Sequence, residues 1–201
     1  MLNLLFIPEM ILSIGVMIII LVDLFFQKQK GLSFTLVQFL LLIAAYYSLN
    51  KFSPSYSAYT LNEFTNIFKF ILLVGSLTIF HYTYKHLKFL KILKIEYFTI
   101  SLLGLIGTMI MISANSLLML YLGIELLSLS LYALIGFNKK SSLSSEAAIK
   151  YYVLGAMSSG ILLFGISLIY GFTGSITYDG IASQLVNIDM NSVDYLSLIH
   201  I

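Results

Sequence analysis

Six apolar runs, separated by short polar connections, dominate this 201-residue chain. Most of them approach or exceed the roughly 18–20 residues that an α-helix needs to cross a bilayer. With 59% hydrophobic and only 10% charged residues, the chain has too little polar surface for a soluble globular domain. The sequence therefore predicts an all-α polytopic membrane protein with about six transmembrane helices. They are predicted at residues 4–26, 32–49, 61–84, 95–113, 117–137 and 147–172.

The lysines that lie between the runs predict the orientation of the helices. Eight lysines follow the first, third and fifth runs, whereas the opposite connections contain only Lys51. Loops rich in lysine stay on the cytoplasmic side of a membrane. We therefore expect these three loops to face the cytoplasm or the mitochondrial matrix, and the N-terminus to face the opposite side. The eight are Lys28, Lys30, Lys85, Lys88, Lys91, Lys94, Lys139 and Lys140.

Local motifs place two of the helix boundaries. The sequence TLNE predicts a capping box at the start of the third helix, with Thr60 as N-cap and Glu63 three residues later. The connection SANS, residues 113–116, is so short that the fourth and fifth helices must be antiparallel neighbours. The tail after residue 172 contains three aspartates and no lysine, which suits the non-basic side of the membrane.

The residue inventory argues against a redox centre within the chain. There is no cysteine, which excludes disulfides and cysteine-ligated zinc or iron–sulfur sites. Two of the three histidines, His81 and His86, are five residues apart and do not share a helix face, and His200 lies in the tail. We therefore expect no metal and no cofactor in this chain. The lysines do not form one basic face, so nucleic acid is not an expected partner.

Glu125 is the first candidate functional residue, because it is a lone carboxylate inside the fifth apolar run. Tyr121, Ser128 and Tyr132 share its helical stripe and form a polar strip on an otherwise aliphatic helix. A charged side chain at membrane depth costs roughly 2.5–3.5 kcal/mol on insertion scales, so it normally faces protein or water. We expect Glu125 to hold and exchange a proton. The alternative is a protonated glutamate that only bonds a neighbouring helix.

Two lysines within apolar runs are further candidates for proton translocation. Lys150 lies four residues after Glu146, a spacing that favours an ion pair, and it is close enough to the helix start to reach the interface instead. Lys69, in the third run, is a secondary candidate whose commonest fate at this depth is to extend towards the interface. Glu9 and Asp23, near the two ends of the first run, are expected to be interfacial.

Small residues in the sixth run predict close helix packing. Gly155, Ala156, Ser159 and Gly160 give two small-xxx-small pairs, 155/159 and 156/160. Such pairs let the backbone of another helix approach closely.

Two segments carry a resemblance to a known family. They are EYFTISLLGLIGTMIMISANSLLMLYLGIELLSLSLYALIGF, from residue 96, and SSEAAIKYYVLGAMSSGILLFGISLIYGFTGS, which ends at residue 175. Together they resemble subunit 2 of respiratory complex I, the proton-pumping NADH:ubiquinone oxidoreductase. The segments FIPEMILSIGVMIIILVDLFF and NEFTNIFKF are similar but less specific.

The resemblance implies an antiporter-like fold in which inverted five-helix repeats each hold half of a proton channel. It implies that Glu125 is the key acid of the fifth helix and that Lys150 matches a lysine near the start of the sixth. Subunits of this family bind no NADH, flavin or cluster themselves. Expected partners are the other membrane-arm subunits and the lipid bilayer.

The chain departs from the family pattern because it stops before the broken seventh helix, whose lysine faces the fifth-helix glutamate. We expect either a separate chain that supplies the later helices, or a degenerate subunit that serves mainly as a structural scaffold. A subunit of a cation/proton antiporter is a third reading. The expected organisation is a three-helix segment at 1–94, the start of the first repeat at 95–172 and a polar tail at 173–201.

Residue usage suggests a location. Phe (15) and Tyr (14) are frequent, arginine is absent from the basic residues, and tryptophan is absent. This bias is typical of AT-rich genomes, including those of organelles. We therefore expect the mitochondrial inner membrane, with the N-terminus facing the intermembrane space, and the bacterial plasma membrane as the alternative.

Overall fold

The structure is a computed structural model that describes residues 7–25, 30–49, 58–90 and 92–186. Within these residues the secondary structure is helical, with isolated bridging pairs in the connections. Five helices are long and apolar enough to cross a membrane, and a sixth, of 17 residues, is apolar but shorter. The predicted all-α polytopic membrane fold is confirmed. The helices are α1 (Ile7–Phe25), α2 (Lys30–Ser48), α3 (Glu63–Phe89), α4 (Glu96–Ile112), α5 (Leu117–Ile135), α6 (Ser142–Thr173) and α7 (Tyr178–Val186).

The first four helices pack around one apolar core. α2 lies between α1 and α3, and α4 contacts both α1 and α3. At the centre, the fully buried Phe98 of α4 contacts Phe34 of α2 and Phe80 of α3, with ring centroids 5.1 and 5.5 Å apart. Phe34 also stacks on Tyr84 of α3 at 3.8 Å. Aromatic pairs of this kind add to the stabilisation from burial and fix the relative positions of α2, α3 and α4.

α4 and α5 are antiparallel neighbours, as the short connection predicts, and glycines set their separation. A Cβ atom added to Gly107 of α4 would lie 2.8 Å from the carbonyl oxygen of Gly123 in α5. A Cβ added to Gly123 would lie 2.9 Å from the carbonyl oxygen of Gly107. Because both distances are shorter than real Cβ contacts, only glycine permits this close approach of the two backbones.

The start of α3 differs from the predicted capping box. The N-cap is Asn62, not Thr60, and its backbone N–H donates to the Thr65 hydroxyl at 2.9 Å. Thr60 is instead drawn into the connection, where its N–H donates to the carbonyl of Ser113 at 2.9 Å. Glu63 is therefore the first helical residue rather than the reciprocal partner in the cap. The hydrogen bond from Thr60 to Ser113, a residue of the distant α4–α5 connection, therefore determines where α3 begins.

The three connections on the non-basic side are joined by backbone hydrogen bonds. The N–H of Asn115 donates to the carbonyl of Ala58 at 3.0 Å, and the N–H of Leu117 donates to the carbonyl of Ile176 at 2.9 Å. The N–H of Tyr178 donates back to the carbonyl of Asn115 at 3.3 Å. We call this set of residues 58–60, 113–117 and 176–178 the loop clasp. It joins the starts of α3, α5 and α7 at one end of the bundle.

α6 has the most exposed surface of the long helices. It begins at Ser142, five residues before the predicted start, because the Ser141 side chain accepts a hydrogen bond from the N–H of Ser144 at 3.3 Å and caps it. It packs on α5 and α7, while large apolar side chains such as Met157 and Ile161 are 61% and 70% exposed. At the other end, Gly174 adopts a φ of 67° and terminates the helix in the left-handed conformation.

Candidate functional site

Glu125 lies at the contact between α5 and α6. Its side chain is half-buried, and its carboxylate accepts a hydrogen bond from the Ser159 hydroxyl of α6 at 2.7 Å. The Tyr121 hydroxyl, one turn earlier on α5, shares a hydrogen bond with the same serine at 2.9 Å. The three side chains form one polar group that bridges two membrane helices. Ser159 therefore fixes the position of the carboxylate.

An open cleft of about 350 Å³ borders Glu125. Ser128 and Tyr132 line it from α5, and Ser158 and Ser159 line it from α6. The polar strip predicted on α5 thus faces α6 along its length rather than facing a purely apolar neighbour. A cleft with hydroxyls on both walls can hold water beside the carboxylate, and a chain of water and hydroxyl groups can carry protons.

Gly155 and Ser159 are the small pair that packs against α5. A Cβ atom on Gly155 would overlap the hydroxyl of Tyr132, so the absence of a side chain gives this ring its place. Tyr132 also makes edge contacts with Tyr151 and Tyr152, with ring centroids 5.2 and 5.7 Å away. In the second predicted pair, 156/160, no atom of the described residues lies within 4 Å of a Cβ added to Gly160.

Lys150 is separate from Glu125. Its ammonium group donates to Glu146 at 2.6 Å, the predicted pair four residues apart, and these side chains are 70% and 59% exposed. Nine residues, or about 13 Å of helix rise, separate Lys150 from Ser159, which contacts Glu125. Lys150 does not line the cleft around Glu125. The structure therefore does not bring these two predicted residues into contact.

Lys69 and Glu9 correct the sequence prediction most strongly. The sequence predicts that both side chains reach the interface, whereas the structure buries both inside the protein. The Lys69 ammonium group lies 2.6 Å from the Glu9 carboxylate, with the two side chains 0% and 6% exposed. The pair joins α1 to α3 inside the bundle. Each charge makes burial of the other possible, because a buried charge without a partner is strongly destabilising.

Tyr59, from the connection before α3, completes this buried group. Its hydroxyl accepts from Lys69 at 2.7 Å and donates to Glu9 Oε1 at 2.7 Å. Its ring is 2% exposed, and burial, followed by the nearby Glu9 charge, raises the pKa of the Tyr59 phenol. The phenol therefore stays protonated and remains a donor. We call Glu9, Tyr59 and Lys69 the buried triad.

One oxygen of the triad has no protein partner among the residues that the structure describes. Both the ammonium and the phenol converge on Glu9 Oε1, and the buried Oε2 accepts no hydrogen bond from them or from any other described group. A buried carboxylate oxygen in this state is a place for a bound water molecule. Within the buried triad, Glu9 therefore uses only one of its two carboxylate oxygens.

Sequence reasoning found Lys69 but missed Glu9 and Tyr59 as its partners. Glu9 is sixty positions from Lys69, and Tyr59 is ten positions from it in the connection before α3, so no helical spacing links either residue to Lys69. The one available signal was that Glu9 and Lys69 both follow the start of an odd-numbered helix, at the same end of the bundle. The described residues contain no group of three or more His, Cys, Asp or Glu side chains placed to hold a metal ion.

Comparisons with known proteins identify similar sequences. Residues 114–201 match the family described as NADH:quinone oxidoreductase/Mrp antiporter, TM. NADH-quinone oxidoreductase subunit N of Ruthia magnifica subsp. Calyptogena magnifica is 37% identical over 195 residues, covering 94% of this chain and 40% of that protein. The same subunit of Thioalkalivibrio sulfidiphilus is 39% identical over 187 residues, covering 90% and 39%. The chain therefore spans about two fifths of the length of these homologues.

Two solved assemblies share the fold. Respiratory complex I from Thermus thermophilus with bound aureothin contains a chain with a TM-score of 0.66 and 23% identity, matched over 89% of this chain and 42% of its own length. The membrane-bound sulfane sulfur reductase, an archaeal respiratory membrane complex, gives a TM-score of 0.77 and 24% identity, covering 96% and 42%. The two assemblies support the predicted antiporter-like fold, and the sequence matches to subunit N bear out the expected resemblance in part.

Proposed function

We propose that this chain is a membrane-arm subunit of a proton-translocating NADH-quinone oxidoreductase and contributes part of a proton path. Its similarity to subunit N of that enzyme supports the assignment. The observation that carries it is the half-buried carboxylate of Glu125, bonded across two membrane helices to Ser159 beside a polar cleft. In this proposal the chain itself performs no redox chemistry and moves protons while quinone is reduced elsewhere.

Glu125 is the proton-holding acid of the proposed path. Tyr121 and Ser159 hold its position, and the hydroxyls of the cleft supply the adjacent proton carriers. Lys150 is the proposed electrostatic neighbour on the basic side. Because it is paired with Glu146 and distant from Glu125, its proposed influence acts through charge and the water between them rather than through contact.

Replacement of Glu125 tests this function. In the assembled enzyme, we expect Glu125→Gln to reduce coupled proton pumping at least severalfold while the enzyme still assembles. The matched control is Ser167→Ala, which removes a hydroxyl on the same helix that bonds the carbonyl of Phe164 and does not line the cleft. Pumping equal to wild type in an assembled Glu125→Gln enzyme would instead favour the scaffold reading.

Lys69 belongs to a second proposed proton-holding group, the buried triad. Its support is the burial of a charged pair together with one unbonded carboxylate oxygen. We expect the double variant E9Q/K69M, which removes both charges together, to assemble and to pump less than wild type. Unchanged pumping in this variant would limit the triad to a structural role.

The subunit composition of the purified assembly distinguishes a respiratory subunit from a subunit of a cation/proton antiporter. Isolation from native membranes through a tag on this chain is expected to recover quinone-reducing subunits. Recovery of cation-transport subunits in their place would favour the antiporter.

We also propose that a separate chain of the assembly covers the exposed face of α6. The exposed apolar side chains of Met157 and Ile161 support a covered face. A photo-crosslinker at position 161 is expected to give an adduct with another chain of the assembly. Adducts with lipid alone would contradict that partner.

The bacterial sources of the homologues support the plasma membrane rather than the mitochondrial inner membrane as the location. The proposed orientation puts the lysine-rich loops in the cytoplasm. Because the chain has no cysteine, single cysteines at Lys140 and Asp179 can be labelled separately. We expect a membrane-impermeant thiol reagent added outside intact cells to label position 179 and not position 140.

A further inference from the structure

A cavity with a positive rim lies at the lysine end of the bundle and shares no lining residue with the cleft beside Glu125. It has a volume of about 740 Å³ and is bordered by residues of the α3–α4 connection and the α5–α6 connection. This size falls within the roughly 300–1,000 Å³ of clefts that hold small-molecule ligands. The cavity is enclosed on several sides by the ends of four different helices.

The lining of this cavity combines positive charge with apolar walls. Lys94, Lys139 and Lys140 are exposed at its rim, and no acidic residue lines it. Leucine and isoleucine side chains, among them Leu87 and Leu134, form its walls. None of the three lysines forms an ion pair with an acid of the described residues. A neighbouring cleft between α1 and α4 also borders Lys94 and differs because it contains two acids, Asp23 and Glu96.

Phe137 connects the two sides of the cavity. The Lys94 ammonium group lies 5.4 Å from the centre of its ring, and Tyr97 meets it edge-on at 5.7 Å. The N–H of Lys139 donates to the carbonyl of Phe137 at 3.2 Å. These contacts hold lysines from two separate connections around one opening. The positive rim is therefore part of the folded arrangement and not only a run of basic residues in one loop.

We propose that this cavity binds an anionic phospholipid of the lysine-side leaflet, with its phosphate headgroup at Lys94, Lys139 and Lys140 and its acyl chain along the apolar walls. Basic pockets between helix ends on the cytoplasmic or matrix side bind anionic headgroups. The ligand has one negative end and one apolar part, and the cavity presents a complementary surface to each. A free phosphate ion would use the rim and leave the walls unoccupied.

The test uses the complete assembly in phosphatidylcholine nanodiscs, titrated with photoactivatable phosphatidylglycerol of the same acyl composition. K139Q/K140Q is the pocket variant. K85Q/K88Q is the matched control, since it removes two lysines at the same end of the bundle that do not line the cavity. A lysine beside an anionic headgroup contributes about a fivefold factor in binding, so removal of two lysines that line the cavity is expected to weaken binding roughly twenty- to thirtyfold. The control is expected to change less than threefold.

Crosslinks that map to the cavity and weaken only in the pocket variant support the proposal. Equal weakening in both variants, or no weakening in either, overturns it. Competition by inorganic phosphate as effective as that by unlabelled phosphatidylglycerol also overturns it, because it identifies an anion site without a lipid. K94Q, on the other connection, must weaken binding as well if the pocket variant assembles poorly.

Discussion

Glu9 and Lys69 are sixty residues apart in sequence, and their charged groups meet at 2.6 Å in the interior of the bundle. The contact ties the first turn of α1 to the second turn of α3. Because both side chains are almost fully buried, this pair belongs to the small class of ion pairs for which removal of one partner has a large effect.

Removal of one charge of this pair is expected to be far worse than removal of both. Lys69→Met leaves the Glu9 carboxylate buried without a counter-charge, which typically costs about 3–5 kcal/mol. E9Q/K69M removes the uncompensated charge and is expected to recover most of that loss. Thermal unfolding of the purified protein in detergent gives the comparison. Ser76→Ala is the control, because its buried hydroxyl bonds only within α3. Equal destabilisation by the single and double variants would contradict the argument.

Tyr59 predicts a dependence of stability on alkaline pH. The phenol pKa is raised from 10.0 in the folded protein, so the folded state retains a proton that the unfolded state releases. The contribution is complete below pH 10 and is lost progressively as the pH rises above it. We expect wild type to lose stability between pH 9 and 11 more steeply than Tyr59→Phe. Denaturation measured at matched pH values for both proteins isolates this contribution, and parallel curves would refute it.

Close packing of α4 on α5 gives a prediction about glycine. Gly123→Ala places a methyl group 2.9 Å from the Gly107 carbonyl oxygen, and we expect the helices to separate at a cost of about 1–3 kcal/mol. Gly160→Ala is the matched control, because nothing lies within 4 Å of the new Cβ. Since alanine favours helix over glycine, the control is expected to be neutral or slightly stabilising. The unfolding temperatures of the two variants, each compared with that of wild type, test this prediction.

Ser159 is expected to matter for transport rather than for folding. Ser159→Ala removes a hydrogen bond to the carboxylate of Glu125, and bonds to charged groups contribute roughly 1.5–3 kcal/mol. We expect coupled proton pumping to fall about tenfold with little change in the amount of assembled protein. Ser167→Ala, about two turns later on α6, removes a hydroxyl outside the cleft, keeps the Glu125 bond and is expected to pump normally. Identical rates for both variants would exclude Ser159 from the path.

The sequence predicts the six long helices because each depends on local hydrophobicity, and their observed ends differ from expectation where polar contacts decide them. α3 continues to Phe89, past the predicted end at 84, because helical hydrogen bonding does not stop where the apolar run stops. α6 begins early because Ser141 caps it. A pattern of hydrophobic residues predicts neither the continued hydrogen bonding of α3 nor the Ser141 cap of α6.

The candidate site was predictable only in part. The stripe that includes Tyr121 and Glu125 follows from helical periodicity, and the structure directs it towards α6. The partner of Lys69 did not follow, because the choice between an interfacial and a buried lysine depends on which helix lies beside it. That neighbour is set by the packing of α1 against α2 and α4, which the sequence of α3 alone does not contain.

The loop clasp restricts how this bundle can deform. Main-chain hydrogen bonds join three connections at one end of the bundle, whereas the described contacts between elements at the lysine end involve side chains, such as Lys94 with Phe137 and Ser33 with Asp23. If α5 tilts, it therefore pivots at the loop clasp, and its displacement is greatest at the lysine end of the bundle. Glu125 lies between the two ends of α5 and would move relative to α6. The cleft beside Glu125 would then widen or narrow as α5 tilts.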